Sequence, residues 1–227
     1  MIVALIPAHD EAPRISAVVK AAREHVPVIV VDDGSTDSSA DRARDAGAEV
    51  VQQRPNQGKG MALRTGFRRA LADSADAIVT LDGDGQHDPA EIPAFLAAWG
   101  SDERSTRPDL VIGRRSFHSM PAARRLSNEL GRIAFSWAVG RPIPDNQSGY
   151  RLVSSRLAEA TLASDEPGFA FEVEPITTCI RMGGSIAWVP IRTIYAGAPS
   201  HIRPLAHLRE FIRIVRKARR DVRRPLP

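Results

Sequence analysis

The chain has 227 residues, a length that suits one α/β domain with at most a small appendage. Its apolar fraction of 43% and charged fraction of 26% are ordinary for a soluble globular protein. No apolar run approaches the length needed to span a bilayer, and the first seven residues lack the basic segment of a signal peptide. The single cysteine, Cys179, excludes an internal disulfide and a multi-cysteine metal site, and its apolar helical setting indicates a buried structural thiol.

The net charge of +4 is unevenly distributed along the chain. Residues 201–227 contain nine Lys or Arg residues and two acidic residues, so the preceding 200 residues carry a small net negative charge. We therefore expect one catalytic domain over residues 1–200 and a basic extension over residues 201–227.

Short β-branched runs alternate with amphipathic helical patterns along the chain. In chain order the pattern predicts strand 2–6, helix 14–25, strand 28–31, helix 38–46, strand 49–52, helix 60–72, strand 77–81, helix 89–99, strand 110–112, helix 124–139, strand 148–153, helix 157–163, helix 171–182, strand 185–193 with Pro190 at a sheet edge, and helix 205–222. This order predicts an α/β fold whose single, mostly parallel sheet is doubly wound, with helices on both faces.

Polar clusters follow four of the predicted strands, at residues 7–11, 32–37, 56–59 and 82–88. Ligands of doubly wound sheets bind beyond the carboxyl ends of the strands, where these clusters lie. The last cluster contains Asp82 and Asp84, separated by one glycine. A divalent cation that holds a diphosphate would relieve their repulsion, because such cations prefer oxygen ligands. The alternative is a solvated acidic turn.

Two other clusters also allow more than one interpretation. Asp33 is placed to accept hydrogen bonds from a base edge or a ribose hydroxyl. The alternative is that Ser35 or Thr36 caps the next helix, and both can be true together. Residues 56–60 do not fit a phosphate-binding P-loop, because no Ser or Thr follows Lys59. Lys59 nevertheless adds positive charge close to where a diphosphate would lie.

The motifs, taken in order, resemble family 2 glycosyltransferases of the GT-A fold, in particular the branch similar to dolichyl-phosphate mannose synthase, which uses polyprenyl-phosphate acceptors. The matching segments are residues 6–11, 31–37, 56–60, 82–89 and 147–151. The resemblance implies inverting transfer of a hexose from a nucleotide sugar, GDP-mannose or UDP-glucose, with Mg²⁺ or Mn²⁺. Asp82 and Asp84 match the DxD motif of the family.

The resemblance also implies which residues bind the donor. The nucleoside pocket would be lined by Pro7, Ala8, Glu11 and Asp33. The metal site would be formed by Asp82, Asp84 and Gln86, and a cation there offsets the charge that grows on the leaving diphosphate. His201 matches a loop that closes over the diphosphate.

The acceptor side is basic, and the resemblance assigns the acceptor phosphate to Arg115, Arg124, Arg125 and Ser127. Arginine suits this role because its planar fork binds phosphate through two hydrogen bonds. The resemblance implies Asp82, Asp84, Arg115 and Arg124 as the catalytic residues. The alternative is a solvated helix start.

The chemistry of the acceptor decides whether the enzyme needs a general base. An ionised lipid phosphate needs none and has only to be positioned for in-line attack. A hydroxyl acceptor would require a carboxylate base, for which Asp145, Glu172 and Glu174 are candidates.

The basic extension predicts an amphipathic helix that lies on an anionic membrane surface. The alternative is a basic helix packed on the body of the protein; no nucleic-acid-binding motif is present. We expect a cytoplasmic protein bound peripherally to the inner face of the membrane. Two other functions stay open, namely the same donor chemistry on a soluble or lipid hydroxyl, and a nucleotide-binding protein without transfer activity.

Overall fold

The computed structural model describes residues 1–100, 107–115, 122–163, 170–192, 194 and 204–223, with the backbone alone for 122–127, 170 and 204–210. In chain order the elements are β1 (Ile2–Ala8), α1 (Ile15–Arg23), β2 (Val28–Asp33), α2 (Ser39–Asp45), β3 (Glu49–Gln53), α3 (Lys59–Ala72), β4 (Ala77–Thr80), α4 (Ile92–Trp99), β5 (Leu110–Arg115), α5 (Ala122–Val139), β6 (Arg151–Ser154), α6 (Ser155–Leu162), α7 (Ala170–Arg181), β7 (Ile186–Ile191) and α8 (Pro204–Val222).

The strands form one sheet in the order β3-β2-β1-β4-β6-β5-β7. Only β6 runs antiparallel to its neighbours within the described sheet, and the other pairings are parallel. Parallel strands joined by helices place those helices on both faces of a sheet. The predicted fold class, a mostly parallel and doubly wound sheet, is confirmed.

Each face of the sheet carries its own apolar core. On one face, Leu5 and Ile78 pack with Phe67 of α3. On the other, Ile6 packs with Phe95 of α4. Successive strand residues point to opposite faces, and both faces are covered by helices. The central strands therefore read as continuous apolar runs in the sequence rather than as alternating ones.

The bounds of several predicted elements differ near the carboxyl edge of the sheet. β1 and β2 end two residues later than predicted, and β5 ends three residues later, at Arg115. β6 begins at Arg151, three residues after the predicted start, because the backbone N–H of Ser148 donates to the Asp145 carboxylate and holds the chain in a loop. The predicted helix 89–99 is divided into a 3₁₀ turn, Pro89–Glu91, and α4.

Pro190 lies on β7, which pairs only with β5 among the described strands. A proline cannot donate a hydrogen bond to a neighbouring strand, so its place on the outermost described strand fits the prediction of an edge position. Cys179 is fully buried, and burial raises the pKa of its thiol to about 12. The prediction of a structural cysteine is confirmed.

The basic extension contains α8, which packs against α5 and α7. Ile214 and Ala218 of α8 are buried at this contact, whereas Arg216 and Arg220 are exposed on the opposite side. The helix is therefore packed on the body along one face and presents arginines along the other. The predicted boundary between residues 200 and 201 lies outside the described residues. Among the helices described, none has both the length and the apolar character that a membrane crossing requires.

An ion cluster fixes α8 to α7. The Lys217 ammonium lies 3.2 Å from each carboxylate oxygen of Glu174, which is buried, and also donates to Asp221. Burial disfavours the charged ammonium, but these carboxylates outweigh it and raise the pKa of Lys217. A buried carboxylate is tolerated only when it is paired, so this contact sets how firmly α8 is held.

Replacing Lys217 with Met should lower the free energy of unfolding by roughly 3 kcal/mol, because it deprives the buried Glu174 carboxylate of this ammonium. Urea denaturation measures the change. Lys20→Met, on the exposed side of α1, is the matched control and should stay within about 0.5 kcal/mol of the parent. Adding Glu174→Gln to Lys217→Met should recover part of the loss. Equal stability of Lys217→Met and Lys20→Met would show that the cluster does not hold α8.

Candidate active site

A cleft opens at the carboxyl edge of the sheet and encloses about 580 Å³ of space that is open to solvent. Parallel strands β1, β2 and β4 end along this edge, where Ala8 is level with Asp32. The residues that line the cleft are Pro7, Ala8, His9, Glu11, Asp33, Lys59, Ala62, Asp82, Gly83 and Asp84. Every donor-side residue predicted from the sequence, apart from Gln86 and His201, lies in this lining.

Asp33 holds the loop that leads into α3. Its buried carboxylate accepts hydrogen bonds from Gln53 Nε2 at 2.6 Å and from the backbone N–H groups of Gln57 at 2.8 Å and Gly58 at 2.7 Å. These bonds set the position at which α3 begins, and therefore where Lys59 enters the cleft. Asp33 thus shapes the donor pocket through the backbone as well as lining it.

The loops after β1 and β2 are tied together by hydrogen bonds. The Asp10 carboxylate accepts from the Thr36 backbone N–H at 2.7 Å, and the Glu11 backbone N–H donates to Ser39 Oγ at 2.7 Å. Asp10 has a left-handed backbone with φ of 54°, which turns the chain back toward the cleft. Ser35 Oγ accepts from the Asp10 N–H, so Ser35 and Thr36 join the two loops rather than cap α2.

The turn between Asp82 and Asp84 is held from below by His87. The buried imidazole accepts the backbone N–H of Asp82 at its Nδ1 atom, at 3.1 Å. Burial lowers the pKa of His87 in spite of the nearby Asp82 charge, which favours the neutral ring with its proton on Nε2. Asp84 accepts from the Gln86 backbone N–H at 2.9 Å and from the Gln86 amide nitrogen at 2.6 Å. Gln86 therefore orients Asp84 in this structure.

Lys59 joins the two halves of the site. Its ammonium lies 2.7 Å from Asp82 Oδ1 and 3.3 Å from Glu172 Oε2 of α7. Burial disfavours the ammonium, but the charges of Asp82 and then Glu172 outweigh this effect and raise the pKa of Lys59. Burial likewise opposes ionisation of Asp82, yet the Lys59 charge lowers the pKa of Asp82 to about 2. Both groups are charged at neutral pH.

Carboxylates are crowded on the other side of the same turn. Burial, and after it the charge of Asp84, raises the pKa of Glu11, while Arg14 partly compensates from 3.6 Å. Oxygen donors crowded in one cleft suit a hard divalent cation. Within the described part of the chain, however, no group of three or more His, Cys, Asp or Glu side chains could hold a metal by itself. The donor set fits a cation whose remaining ligands come from a substrate.

The acceptor-side arginine on β5 is engaged by a buried carboxylate. Arg115 donates to Asp145 from Nε at 2.8 Å and from Nη2 at 2.9 Å. Asp145 also accepts the backbone N–H groups of Arg115, Gln147 and Ser148. With five hydrogen bonds on its two oxygens, this carboxylate leaves little room for the hydroxyl of a substrate to approach.

The other two candidate bases lie on opposite sides of α7. Glu172 contacts Lys59 in the cleft, whereas Glu174 faces α8 and pairs with Lys217. Arg151, which is buried, donates to the backbone carbonyls of Ser148, Asn146 and Glu172 and so fixes the start of α7 against the loop before β6. Burial lowers the pKa of Arg151 to about 10. Of the three carboxylates, only Glu172 is near the cleft.

Part of the predicted acceptor site lies outside what is described. The first turns of α5 contain Arg124, Arg125 and Ser127, of which only the backbone is described, and His201 lies in the undescribed residues 195–203. Ile194, seven residues before His201, does reach the loop after the Asp82–Asp84 turn, because its N–H donates to the Gln86 carbonyl at 3.3 Å.

The sequence interpretation missed the supporting residues His87, Arg151 and Gly149. A Cβ atom on Gly149 would lie 3.3 Å from both Asp82 Oδ2 and Lys59 Nζ, so the loop before β6 approaches the acidic turn closely. All three stand inside the motifs at residues 82–89 and 147–151. The motif spacing was therefore the available signal, although nothing in it shows that a histidine or an arginine would be buried.

Comparison with known proteins places these features in a family. Residues 3–156 match the sequence profile described as Glycosyl transferase family 2. The chain is 34% identical over 195 residues to "Glycosyltransferase AglJ" of Haloferax volcanii, covering 82% of this chain and 60% of that protein. It is 29% identical over 208 residues to "Undecaprenyl-phosphate mannosyltransferase" of Micrococcus luteus, covering 84% of this chain and 82% of that protein.

A solved structure shares the fold. The structure of glucosyl-3-phosphoglycerate synthase from Mycobacterium tuberculosis, in complex with Mn²⁺, UDP and glucosyl-3-phosphoglycerate, superposes with a TM-score of 0.71 at 25% identity. The superposition covers 96% of this chain and 78% of the other. The expected GT-A-like α/β architecture is confirmed by this likeness together with the profile match.

Asp145→Asn should lower the free energy of unfolding by roughly 3 kcal/mol, because an amide cannot accept the full set of donors that surrounds the buried carboxylate. Urea denaturation and sugar-transfer turnover should be measured on the same preparations. Asp41→Asn removes an exposed carboxylate that pairs with Arg44 and should change stability by less than about 0.5 kcal/mol. Lost turnover in Asp145→Asn with unchanged stability would contradict the structural role and restore Asp145 as a candidate base.

Proposed function

The chain belongs to glycosyl transferase family 2, and we propose that it transfers a hexose from a nucleoside diphosphate sugar to a polyprenyl phosphate, with Mg²⁺ or Mn²⁺ bound at the Asp82–Asp84 turn. The observation that carries the proposal is the cleft in which Asp82, Asp84, Glu11 and Lys59 converge at the carboxyl edge of the sheet. Among the residues that line the cleft, several carboxylates lie close to the Lys59 ammonium. The carboxylates would bind a divalent cation, and the cation and the ammonium together would balance the negative charge of a diphosphate.

The donor half rests on the oxygen ligands in the cleft. Asp84 is partly exposed there and is oriented by Gln86, whereas Asp82 is paired with Lys59. We therefore propose Asp84 as the direct ligand of the cation. Asp82 and Gln86 are the next candidates for that role. Mg²⁺ in proteins is commonly held by one or two carboxylates together with substrate phosphates. A cation bound here would supply charge neutralisation for the departing diphosphate.

The nucleoside would lie against the ends of β1 and β2. Pro7 and Ala8 line the cleft there, and Glu11 and Asp33 add carboxylate acceptors to the same lining. The Lys59 ammonium is held near the turn, where it adds to the positive charge that a diphosphate requires. GDP-mannose and UDP-glucose are both donors of this class.

The proposal of a phosphate acceptor is supported by the contacts that already occupy the three candidate general bases. Asp145 is saturated with hydrogen bonds, Glu174 faces α8, and Glu172 is paired with Lys59. An acceptor that is already ionised needs none of them and has only to be oriented for in-line attack. The name of the Micrococcus luteus relative, an undecaprenyl-phosphate mannosyltransferase, supports the same acceptor class.

Capture of the acceptor phosphate is assigned to the basic segment around the start of α5. Arg124, Arg125 and Ser127 lie in its first turns, and Arg115 ends β5 nearby in the chain. Asp145 orients the Arg115 guanidinium through two hydrogen bonds. His201 would add positive charge over the diphosphate. We also propose that the basic extension holds the protein at an anionic membrane surface, where a lipid phosphate is presented.

A hydroxyl acceptor is the second candidate. It is favoured by the likeness to glucosyl-3-phosphoglycerate synthase, whose structure holds glucosyl-3-phosphoglycerate. In that case Glu172 would be the base, since it is the only one of the three candidates near the cleft.

Asp84→Asn should weaken Mn²⁺-dependent nucleotide binding by at least about 100-fold, because a neutral amide is a poor ligand for a divalent cation. Isothermal titration with GDP and with UDP, each with and without Mn²⁺, measures the change in affinity. The same titrations show which nucleobase the donor carries. Asp88→Asn is the control in the same segment, because Asp88 caps the following 3₁₀ turn, and it should retain binding. Unchanged Mn²⁺-dependent binding in Asp84→Asn would remove the proposed metal site.

Arg124→Ala combined with Arg125→Ala should raise the KM for polyprenyl phosphate by about tenfold or more, because it removes two charge-assisted contacts to phosphate. Transfer from a radiolabelled donor in detergent micelles gives this constant, and donor binding measured in parallel should be unchanged. Arg132→Ala, farther along α5, is the matched control, because Arg132 pairs with Glu129. Full transfer by the double variant would remove this phosphate site.

A further inference from the structure

The helix α5 exposes a row of large apolar side chains. Leu130 is 59% exposed, Ile133 is 52% exposed and Trp137 is 61% exposed. Their spacing of three and four residues places them on one face of the helix. Single exposed apolar residues are ordinary on protein surfaces, but three large ones on a single helix face indicate a surface that meets an apolar partner.

The helix α8 extends this row with positive charge. α5 and α8 run side by side in the same direction: a Cβ atom on Gly131 would lie 3.6 Å from the Phe211 ring, and the Arg219 guanidinium lies 3.7 Å from the centre of the Trp137 ring. Beside this contact, Ile212 of α8 is 40% exposed. Arg216, four residues after Ile212, is also exposed.

We propose that this surface docks on an anionic lipid bilayer, with the apolar row of α5 inserted among the lipids and the arginines of α8 at the phosphate level. We call it the α5–α8 face, and its members are Leu130, Ile133, Trp137, Ile212, Arg216 and Arg219. The inference rests on the membrane association put forward under Proposed function and assigns it to specific side chains. Among the described side chains of α8, Ile214 and Ala218 are buried against the body and Ile212 is exposed, so α5 supplies most of the apolar contact.

The charge and the side-chain types favour a bilayer over other partners. Tryptophan and arginine are suited to the membrane interface, where an apolar body lies beside a polar headgroup layer. Arg216 is exposed on α8 four residues after Ile212, and arginines near a surface gain from the negative potential of anionic lipids. A symmetric contact with a second copy would bring the same arginines of both copies to one interface, which like-charge repulsion opposes.

Binding of the full chain to vesicles tests the proposal, with phosphatidylcholine vesicles compared with vesicles that also contain phosphatidylglycerol. Sedimentation gives the partition coefficient, and tryptophan emission reports insertion. Trp137 is exposed, whereas Trp99 is buried and Trp188 partly buried, so a blue shift on binding should come from Trp137 and disappear in Trp137→Phe. An unchanged emission spectrum on binding, or a blue shift that persists in Trp137→Phe, would overturn the insertion of α5.

Ile133→Glu should reduce partitioning to the anionic vesicles by about tenfold or more, because it replaces an exposed apolar side chain that would insert among the lipids by a negative charge that anionic lipids repel. Ala17→Glu, at an exposed position of α1, adds the same charge elsewhere and should bind like the parent. Thermal unfolding of both variants checks that they are folded. Equal partitioning of Ile133→Glu and Ala17→Glu would refute the docking surface, as would conversion of a dimer to a monomer by Ile133→Glu with no effect on vesicles.

The same variants separate this proposal from the proposed reaction. Ile133→Glu should keep Mn²⁺-dependent nucleotide binding and transfer in detergent micelles, since Ile133 is not part of the cleft. If the parent chain binds vesicles through this face but transfers no sugar to polyprenyl phosphate in micelles, the acceptor assignment fails and the docking surface stands. If transfer in micelles occurs and vesicle binding is absent, the docking surface fails and the acceptor assignment stands.

Discussion

The Lys59 ammonium between Asp82 and Glu172 is the contact on which the rest of the site depends. It joins α3 and the end of β4, which form the donor side, to α7, which forms the other wall. Without a positive charge at this point, two carboxylates from distant parts of the chain would face each other in a partly buried space. The position of Lys59 is itself set by the hydrogen bonds from the residues 57–58 backbone to Asp33.

Other buried polar groups around the cleft are likewise held by partners from other parts of the chain. His87 accepts a backbone N–H below the acidic turn, Arg151 binds three carbonyls behind it, and Asp145 holds Arg115 beside it. Each of these groups is costly to bury alone and becomes favourable only when all its partners are in place. The loops at this edge are therefore fixed by the same interactions that shape the cleft, and a ligand bound there would meet a preorganised surface.

The sequence predicted the cleft more fully than it predicted the partners within it. Asp33, Asp82 and Asp84 follow strands whose carboxyl ends must meet at one edge of a parallel sheet, so their convergence follows from the order of the elements. The pairing of Arg115 with Asp145 could not be read in this way. It depends on β6 running antiparallel between β4 and β5, a placement that no local pattern encodes.

The sequence by itself determined the doubly wound sheet, the ordered motifs and hence the family, because apolar periodicity and residues at strand ends are local properties of the chain. Only the tertiary structure decided that Glu172 lies at the cleft while Glu174 pairs with Lys217. Likewise, it decided that Ile214 and Ala218 of α8 are buried against the body, while α5 exposes Leu130, Ile133 and Trp137. Which face of a helix meets a neighbour depends on the packing of distant elements, and no periodicity specifies that choice.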